Sequence, residues 1–499
     1  MQSIGLKLII SYLLGALTVL GFAPFYYFPI PVITLTLLLF FWRQCASPLQ
    51  AASLGFSFGM GLFSVGVSWV YISLHEFGGM PVPIAVLTLF LLCAYLSLFP
   101  AITGLILAKL RLASPIVWAL TAASLWMLIE WLRGTLLTGF PWLAIGYTQV
   151  PHSPLAGYAP IMGVYGVSSI LVLSAACLFL LFEKKFSVKQ PLLLLSAIWV
   201  GGFGLQQIPW VQPQGEPVSV SLLQGNIAQD LKWQEDYLAS TMDTYAKLIL
   251  ESESRLIVTP EISIPLFHNN VPPDYLSYLA DHAKKNNGDV LIGMAEHSAD
   301  SEEYYNTMFS FGTAPEQLYR KSHLVPFGEF VPLKSIFGWV IDSLDIPLAD
   351  FGRGSIDQQP LDLAGQRVAV NICYEDVFGE EIIRQLPEAT MLVNVSNDAW
   401  FGRSIGPHQH LQISQMRAIE AGRYMLRSTN TGLTAIINER GVILDQIEVF
   451  TTDALHGSAQ GFTGTTPYVR FGNMPILGLS GLLLFIGFVS AFRGSRKTL

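Results

Sequence analysis

Three residues of reactive type stand at the ends of apolar stretches in the second half of the chain. Glu261 follows residues 256–260, Lys321 follows residues 317–320 and Cys373 follows residues 368–372. Such stretches predict β-strands, and catalytic groups of α/β folds collect at strand ends. A thiolate attacks a carbonyl carbon, a carboxylate accepts the thiol proton and an ammonium group stabilises the oxyanion. The three residues together predict nucleophilic acyl chemistry with Cys373 as the nucleophile.

Cys373 differs from the other cysteines in its surroundings. The chain has four cysteines, and the other three lie in or beside long apolar stretches, where they are expected to pack as small residues: Cys45, Cys93 and Cys177. Tyr374, Glu375 and Asp376 follow Cys373 directly. A buried structural cysteine is the common alternative. The polar run after an apolar strand favours a thiol kept for chemistry.

The activation of Cys373 has two possible arrangements. Glu261 serves as the base if burial raises its pKa toward neutrality, and Lys321 then lowers the pKa of the thiol. A Cys–His pair is the rival, with three candidates: His323, His408 and His410. His408 and His410 alternate as metal ligands sometimes do, but no third ligand accompanies them in the sequence. The residue pattern alone leaves the Glu–Lys and the Cys–His arrangements open.

Short strands and helices alternate through the section that carries these residues. Strands are predicted at 218–223, 255–261, 289–293, 305–312, 316–320, 367–373, 390–395, 432–437 and 441–447. Helices are predicted near 234–253, 273–286, 377–386 and 408–424. Interleaving of this kind predicts a layered α/β domain, which we place at 217–465.

Charge is distributed unevenly along the 499 residues, of which 52% are hydrophobic and 13% charged. Residues 1–210 and 475–499 together hold 11 of the 28 Lys and Arg and 3 of the 36 Asp and Glu, which leaves 17 basic and 33 acidic side chains, a net of −16, between them. An apolar membrane section is therefore joined to an acidic domain. The acidity argues against nucleic acid as a partner, because phosphate binding needs a basic surface.

Eight apolar windows approach the length of about 20 residues that a membrane-spanning helix needs. They lie near 7–25, 28–42, 51–74, 81–108, 113–131, 158–182, 190–208 and 473–492. The first seven predict a transmembrane bundle over 1–210, and the eighth predicts a final transmembrane helix after the α/β domain.

Basic residues indicate the orientation of this section. Arg133 falls at one set of span ends, and ten basic residues fall at the other: Lys7, Arg43, Lys109, Arg111, Lys184, Lys185, Lys189, Arg493, Arg496 and Lys497. Cytoplasmic loops carry the excess of Lys and Arg. We therefore expect both termini in the cytoplasm and the α/β domain outside it. Cys373 is then a solitary thiol in an oxidising compartment, where paired cysteines would have indicated disulfides.

Glu130 and Arg133 lie three residues apart near the outer end of a predicted span. An ionisable residue at such a place is a functional candidate. The same spacing lets the two side chains pair on one helix face, which is a structural role. Trp142 follows and is predicted to anchor at the lipid headgroups or to line an opening toward the lipid.

At these residues the chain resembles the nitrilase superfamily, whose catalytic set is Glu, Lys and Cys on an α-β-β-α sandwich. Residues 259–261 (Thr-Pro-Glu) resemble its glutamate motif, residues 319–329 its lysine motif and residues 371–375 its cysteine motif. The resemblance implies that Glu261 is the base, Lys321 the oxyanion stabiliser and Cys373 the nucleophile.

A membrane bundle around such a domain is similar to the apolipoprotein N-acyltransferase family, and the likeness covers essentially the whole chain. Further segments that resemble family motifs are 69–71, 77–81, 139–142, 224–226, 397–402 and 406–410. The likeness implies supporting roles for four residues: Trp233, Glu329, Tyr374 and Glu375. It implies structural roles for His323, His408 and His410, and neither a metal nor a cofactor.

The resemblance further implies a ping-pong exchange in the cell inner membrane. Cys373 takes a fatty acyl chain from a membrane phospholipid as a thioester and passes it to the α-amino group of the N-terminal diacylglyceryl-cysteine of a lipoprotein. Thioester to amide is downhill, so no nucleotide is needed, and the sequence has no Gly-Lys dipeptide and hence no P-loop. The implied enzyme is a multi-pass monomer with its catalytic domain in the periplasm.

Two other classes share parts of this pattern. A membrane-tethered nitrilase-type amidase would use the same three residues but pass the acyl group to water. A transporter with an accessory domain would bind its ligand among the spans, where Glu130 is the candidate. The apolar segment 324–351 is either a buried loop or, in the interpretation we favour, a mobile interfacial lid.

Overall fold

Apolar helices and mixed strands fall into separate units of the chain. The computed structural model describes residues 4–183, 187–298, 303–331 and 350–495. Unit 1 comprises Met1–Tyr71, Pro81–Ile208 and Arg470–Leu499, and unit 2 comprises Ile72–Met80 and Pro209–Val469. Most of the segment predicted as a lid, namely residues 332–349, lies outside the described residues.

Helices occupy all eight apolar windows of unit 1. The first seven are α1 (Ile4–Thr18), α2 (Pro29–Arg43), α3 (Pro48–Gly66), α4 (Val82–Leu110), α5 (Pro115–Arg133), α6 (Ala159–Phe182) and α7 (Lys189–Leu205), and the last is Met474–Ser495. Within the described part of the chain, six are long and apolar enough to cross a membrane, α1 together with the helical turn Val19–Gly21 that continues it. Helices α2 and α7 are shorter, with 15 and 17 residues. The predicted multi-pass helical bundle is confirmed.

Local sequence sets several helix ends in unit 1. Ser47 and Ser114 precede Pro48 and Pro115, and each serine hydroxyl accepts a hydrogen bond from a backbone N–H of the first turn of α3 or α5. The window 51–74 was predicted as one span, but α3 ends at Gly66 because Val67 leaves the helical region, with φ −116° and ψ 26°.

Glu130 and Arg133 form a buried pair at the end of α5, with 3.9 Å between the guanidinium and the carboxylate. Arg133 donates to the carbonyls of Phe140 and Trp142 at 2.7 Å each, and Glu130 accepts from the N–H of Ile145 at 3.0 Å. These contacts fix the loop after α5 and favour the structural role. Trp142 itself is buried, so the prediction that it faces the lipid or its headgroups is wrong.

Unit 2 contains two six-stranded sheets, each with parallel central strands. The strands are β1 (Val211–Gln224), β2 (Leu256–Val258), β3 (Asp289–His297), β4 (Tyr304–Gly312), β5 (Gln317–Arg320), β6 (Leu361–Leu363), β7 (Gln366–Ile372), β8 (Met391–Ser396), β9 (Met425–Thr429), β10 (Ala435–Ile437), β11 (Ile443–Gln446) and β12 (Asp453–Gly464). Their orders are β12-β1-β2-β3-β4-β5 and β11-β10-β9-β8-β7-β6. Strands β1, β2 and β3 pair in parallel, and so do β7, β8 and β9.

The two sheets pack face to face with helices outside. One core cluster joins residues of both sheets, such as Val258 of β2 and Val370 of β7. Helices α8 (Glu235–Leu250) and α9 (Pro273–Lys285) cover the first sheet, and α10 (Gly406–Ala421) covers the second. Parallel strands buried on both faces read as continuous apolar runs, as β2 and β8 do. The predicted α-β-β-α sandwich is confirmed.

Some boundaries within unit 2 were predicted wrongly. The helix expected at 377–386 is a series of short turns, because Phe378 has a non-helical backbone before Gly379. The helix expected at 408–424 ends at Ala421, because Gly422 takes a left-handed conformation with φ 63°. Strand β9 follows this cap and was missed, as were β6 and β12.

Residues 72–80 lie between α3 and α4 in sequence but belong to unit 2. The hydroxyl of Ser73 donates to the carbonyl of Trp400 at 2.7 Å, and the rings of Phe77 and Trp400 meet edge to face with centroids 6.0 Å apart. Trp400 follows shortly after β8. This segment therefore contacts the sandwich at the carboxyl end of a central strand.

Candidate active site

The predicted reactive residues all lie at or just beyond the carboxyl ends of strands. Glu261 comes shortly after β2, Lys321 directly follows β5, and Cys373 directly follows β7. The first two strands belong to one sheet and β7 belongs to the other. Cys373 has φ 53°, a left-handed conformation that costs a non-glycine residue on the order of 1–2 kcal/mol. Strain of this kind is typical of functional sites.

Lys321 lies between two carboxylates. Its ammonium nitrogen is 3.1 Å from Oε1 of Glu261 and 2.8 Å from Oε1 of Glu329. The Lys321 side chain is 1% exposed, so all three charges are largely removed from water. Burial lowers the pKa of Lys321, but the two carboxylates outweigh it and hold the pKa well above its ordinary value. Lys321 therefore carries its positive charge at neutral pH.

Neutral donors complete the surroundings of Glu261. Asn306 donates from its side chain to Oε1 at 2.7 Å, and Asn397 donates from its backbone N–H to Oε2 at 2.9 Å. Asn397 in turn donates from its side chain to Gln229 at 2.7 Å and accepts from Asn430 at 3.0 Å. Both oxygens of Glu261 thus have donors, which favours the carboxylate form.

The protonation states differ from the expectation that burial brings the pKa of Glu261 toward neutrality. Burial does raise the pKa of Glu261, but the ammonium groups of Lys321 and Lys232 hold it below its ordinary value. Burial and the charge of Glu261 raise the pKa of the Cys373 thiol well above its ordinary value, and Lys321 offsets part of this rise. At rest the site therefore contains a carboxylate and a thiol.

Glu375 ties the lysine segment to the cysteine segment. Its Oε1 accepts from the N–H and hydroxyl of Ser322 at 2.6 and 2.9 Å and from the N–H of His323 at 3.0 Å. Its Oε2 accepts from the N–H of Ile372 at 2.7 Å and the hydroxyl of Tyr319 at 3.0 Å. These bonds connect the residues after Lys321 with the residue before Cys373.

The other residues with predicted supporting roles are placed as follows. Glu329 belongs to the Lys321 ion pair, and Tyr374 packs edge to face against Phe378 with ring centroids 5.2 Å apart. Trp233 is half-buried and directly follows Lys232. Lys232, Asn306 and Gln229 contact this site but were not predicted individually. A sequence signal existed for Lys232 alone, because it directly precedes Trp233, a predicted supporting residue.

His410 belongs to a buried charge cluster behind Cys373. Its Nε2 lies 3.0 Å from Asp376, its Nδ1 lies 2.9 Å from Asp398, and Arg427 contacts both aspartates at 3.4 and 2.9 Å. Nε2 also lies 3.3 Å from the carbonyl of Cys373. The histidine therefore reaches the backbone of Cys373. Both of its ring nitrogens face carboxylates, and Nδ1 also lies 2.7 Å from the guanidinium of Arg427, so its contacts support a structural role.

The remaining histidines give no support to a Cys–His pair. His323 directs Nδ1 to Glu381 at 3.1 Å and stacks on Phe378 with ring centroids 3.7 Å apart. His408 is half-buried, and burial lowers its pKa. Across the described ranges, no cluster of three or more His, Cys, Asp or Glu residues is arranged to hold a metal ion.

An α-β-β-α sandwich with Glu261, Lys321 and Cys373 at its strand ends defines a domain of the carbon-nitrogen hydrolase class, and the family model for carbon-nitrogen hydrolases matches residues 219–458. The apolipoprotein N-acyltransferase N-terminal domain matches residues 14–177. An apolipoprotein N-acyltransferase of Nitrosomonas europaea is 64% identical over 493 residues, covering 99% of each chain. One of Chromobacterium violaceum is 41% identical and covers 97% of this chain and 94% of that protein. The chain belongs to the apolipoprotein N-acyltransferase family.

Glu375→Gln tests the connection between the lysine and cysteine segments. The amide must present an NH2 group to donors, so at least one of the bonds from Ser322, His323, Ile372 or Tyr319 is lost. If Cys373 is acylated, as proposed below, we expect its acylation to slow by about 100-fold, since misplacement of reacting groups by about 1 Å has effects of this size. Single-turnover acylation followed by intact mass measures it. Glu388→Gln, at an exposed position of the same unit, is the control, and equal rates for both variants would contradict the assignment.

The His410 cluster predicts a pH dependence of stability. Burial and Arg427 lower the pKa of His410, but Asp376 and Asp398 outweigh them and raise it to about 9. A raised folded-state pKa means that the imidazolium stabilises the fold fully below about pH 6.5 and loses this contribution as the pH rises through about 9.

We expect the melting temperature of the wild-type protein to fall between pH 8 and pH 10, because the free energy of unfolding decreases by about 1.4 kcal/mol over this interval. His410→Asn should melt lower at pH 7 and show a flatter dependence on pH, whereas His408→Asn on the same helix should follow the wild type. Thermal unfolding at four pH values measures the effect. A His410→Asn curve parallel to that of the wild type would exclude the buried imidazolium.

Proposed function

We propose that this chain transfers a fatty acyl group from a membrane phospholipid to the α-amino group of the N-terminal diacylglyceryl-cysteine of lipoproteins. The observation that carries the proposal is the placement of Cys373 at a strained strand end, with the Glu261–Lys321 pair within electrostatic reach of its thiol. Membership of the apolipoprotein N-acyltransferase family supports the lipoprotein as acceptor.

The first half-reaction forms a thioester. The Cys373 sulfur attacks an ester carbonyl of the phospholipid while the S–H bond breaks and its proton passes to Glu261. The oxyanion of the tetrahedral intermediate is stabilised by the ammonium group of Lys321. The intermediate then collapses, the ester C–O bond breaks, and Glu261 returns the proton to the departing lysophospholipid oxygen.

The second half-reaction transfers the acyl group to nitrogen. The neutral α-amine of the diacylglyceryl-cysteine attacks the thioester carbonyl, and Glu261 accepts a proton from the attacking nitrogen. The C–S bond then breaks and Glu261 returns the proton to the Cys373 sulfur, so the resting thiol is restored. Because an amide is more stable than a thioester, the transfer needs no nucleotide. The sequence is a ping-pong mechanism.

Four further residues support these steps. Glu329 holds Lys321 in place by accepting a second hydrogen bond from the ammonium group that also bonds Glu261, and Glu375 joins the two segments that carry Lys321 and Cys373. Tyr374 and Trp233 adjoin Cys373 and Lys232 in the chain, and we assign them to substrate contacts at the same site. No step requires a metal ion or a cofactor.

A membrane-tethered amidase is the alternative with the same triad. It would release the acyl group to water and would act on soluble amides. The relatives with 64% and 41% identity are both named apolipoprotein N-acyltransferases, and neither supports the amidase. Six helices of the described chain that are suited to a membrane also agree better with two membrane-anchored substrates than with soluble ones.

Intact mass of the purified protein tests the function. With phospholipid and no acceptor, the chain should gain one fatty-acyl mass that hydroxylamine removes, and a diacylglyceryl-cysteine peptide should then take up that acyl group on its amine. Cys373→Ser should gain nothing, whereas Cys45→Ser should behave as the wild type. Discharge to water at the same rate with or without the peptide would instead establish the amidase. Acyl transfer by the Cys373→Ser variant would contradict the mechanism.

We further propose that the chain lies in the cell inner membrane as a monomer with cytoplasmic termini and unit 2 in the periplasm. The ten-to-one distribution of basic residues supports this orientation. In a background without Cys45 and Cys373, a membrane-impermeant maleimide should label Ser240→Cys on α8 in spheroplasts and should label Ala46→Cys only after lysis. The reverse labelling pattern would invert the orientation.

A further inference from the structure

A second lysine, Lys232, is buried beside Glu261. Lys232 is only 4% exposed, and its ammonium group donates a hydrogen bond to the backbone carbonyl of Glu261 at 3.2 Å. Lys232 lies in the turn after β1, where its N–H bonds the carbonyl of Ala228 at 3.1 Å. The same turn carries Gln229, which accepts a hydrogen bond from Asn397 at 2.7 Å. Two residues of one turn thus contact the residues that surround Glu261.

The charges of the site do not balance without Lys232. Glu261 and Glu329 contribute two negative charges, and Lys321, which contacts both, contributes one positive charge. A buried excess charge is costly, because desolvation of an ion exceeds what an incomplete set of partners returns. Lys232 brings the four-residue set to neutrality. Its ammonium group interacts electrostatically with Glu261 and with Cys373.

We propose that Lys232 is a positioning residue for the acyl transfer: its ammonium group keeps Glu261 ionised at rest and lowers the energy of the Cys373 thiolate. This inference rests on the proposed function, because it assigns Lys232 a part in the same proton transfer. In that transfer the S–H bond breaks and an O–H bond forms on Glu261, so a negative charge moves from oxygen to sulfur. With both lysines charged the set stays neutral throughout, and without Lys232 it carries a net negative charge.

Lys232 also has the capacity to respond to this charge movement. Among the described residues, the carbonyl of Glu261 is the one hydrogen-bond acceptor of its ammonium group, which has three N–H bonds. Burial lowers the pKa of Lys232 to about 8, and Glu261 and Cys373 offset part of the decrease. The group is therefore charged at neutral pH and neutral in moderately alkaline solution.

The test measures the reactivity of Cys373 without any lipid substrate. The alkylation rate of Cys373 by iodoacetamide is followed at pH 7, 8, 9 and 10 from the mass of the peptide that contains it. Below the pKa of the thiol this rate is proportional to the thiolate fraction. Lys232→Gln keeps a donor for the Glu261 carbonyl and removes only the charge, whereas Lys232→Arg keeps the charge. Lys247→Met, at an exposed position on α8, is the control.

Three results are expected. Lys232→Gln should be alkylated about tenfold more slowly than the wild type at pH 7, which is one unit of thiol pKa. The difference should disappear by pH 10, because the wild-type lysine has then lost its proton. In Lys232→Arg, which keeps its charge, Cys373 should be alkylated about tenfold faster than in the wild type at pH 10. This comparison tests the proposal if Lys232→Gln does not fold.

A folded Lys232→Gln that reacts at the wild-type rate at pH 7, or a difference that is the same at every pH, would overturn the proposal and leave Lys232 with a backbone contact alone. The groups that face this ammonium are Glu261 and Cys373, with Lys321 and Glu329 joined to Glu261, and all are intact in these variants. Because no phospholipid is present, the outcome is independent of whether Cys373 accepts a fatty acyl group.

Discussion

The structure of the site depends on one buried ion-pair arrangement, the ammonium group of Lys321 between the carboxylates of Glu261 and Glu329. Removing each ion from water costs several kcal/mol, so the arrangement persists only with short contacts and satisfied hydrogen bonds. Asn306 and the backbone N–H of Asn397 supply the bonds that Glu261 still needs. With the nearby Lys232 the charges balance, so the loss of any charged member leaves an uncompensated charge in the interior. The strands and turns around the site are therefore constrained by electrostatics as well as by packing.

The sandwich explains how residues distant in sequence meet this constraint. Glu261 and Lys321 follow β2 and β5 in one sheet, whereas Cys373 directly follows β7 in the other. The apolar core between the sheets fixes the distance between their inner faces, and Glu375 connects the two segments by hydrogen bonds to Ser322 and Ile372. This rigidity also sustains the left-handed backbone of Cys373, whose cost of about 1–2 kcal/mol must be repaid by neighbouring contacts.

Local patterns in the sequence contain part of this information. Local patterns predicted the strands that precede Glu261, Lys321 and Cys373 and the position of these residues at strand ends, and apolar windows predicted the helices of unit 1. Lys232 and Asn306 could not be found in this way. Their roles arise from contacts between distant segments of the chain, and a local sequence pattern does not show which segments meet. The prediction that the pKa of Glu261 is raised toward neutrality was wrong for the same reason. This pKa depends on how many ammonium groups lie near the carboxylate, and residue types in sequence do not count neighbours in space.

A carboxylate with a lowered pKa is a weak base at rest, yet the proposed mechanism asks it to accept two different protons. The difficulty disappears because the acidity of the two proton donors, the thiol and the amine, changes during the reaction. A thiol becomes far more acidic as its sulfur bonds to carbon, and an attacking amine becomes a stronger acid as its nitrogen does so, so each proton moves only when a new bond forms. Low basicity then has a use, because protonated Glu261 releases its proton readily to the leaving group. The pair of lysines beside Glu261 thus favours rapid return of the proton to the leaving group, as the proposed exchange between oxygen, sulfur and nitrogen partners requires.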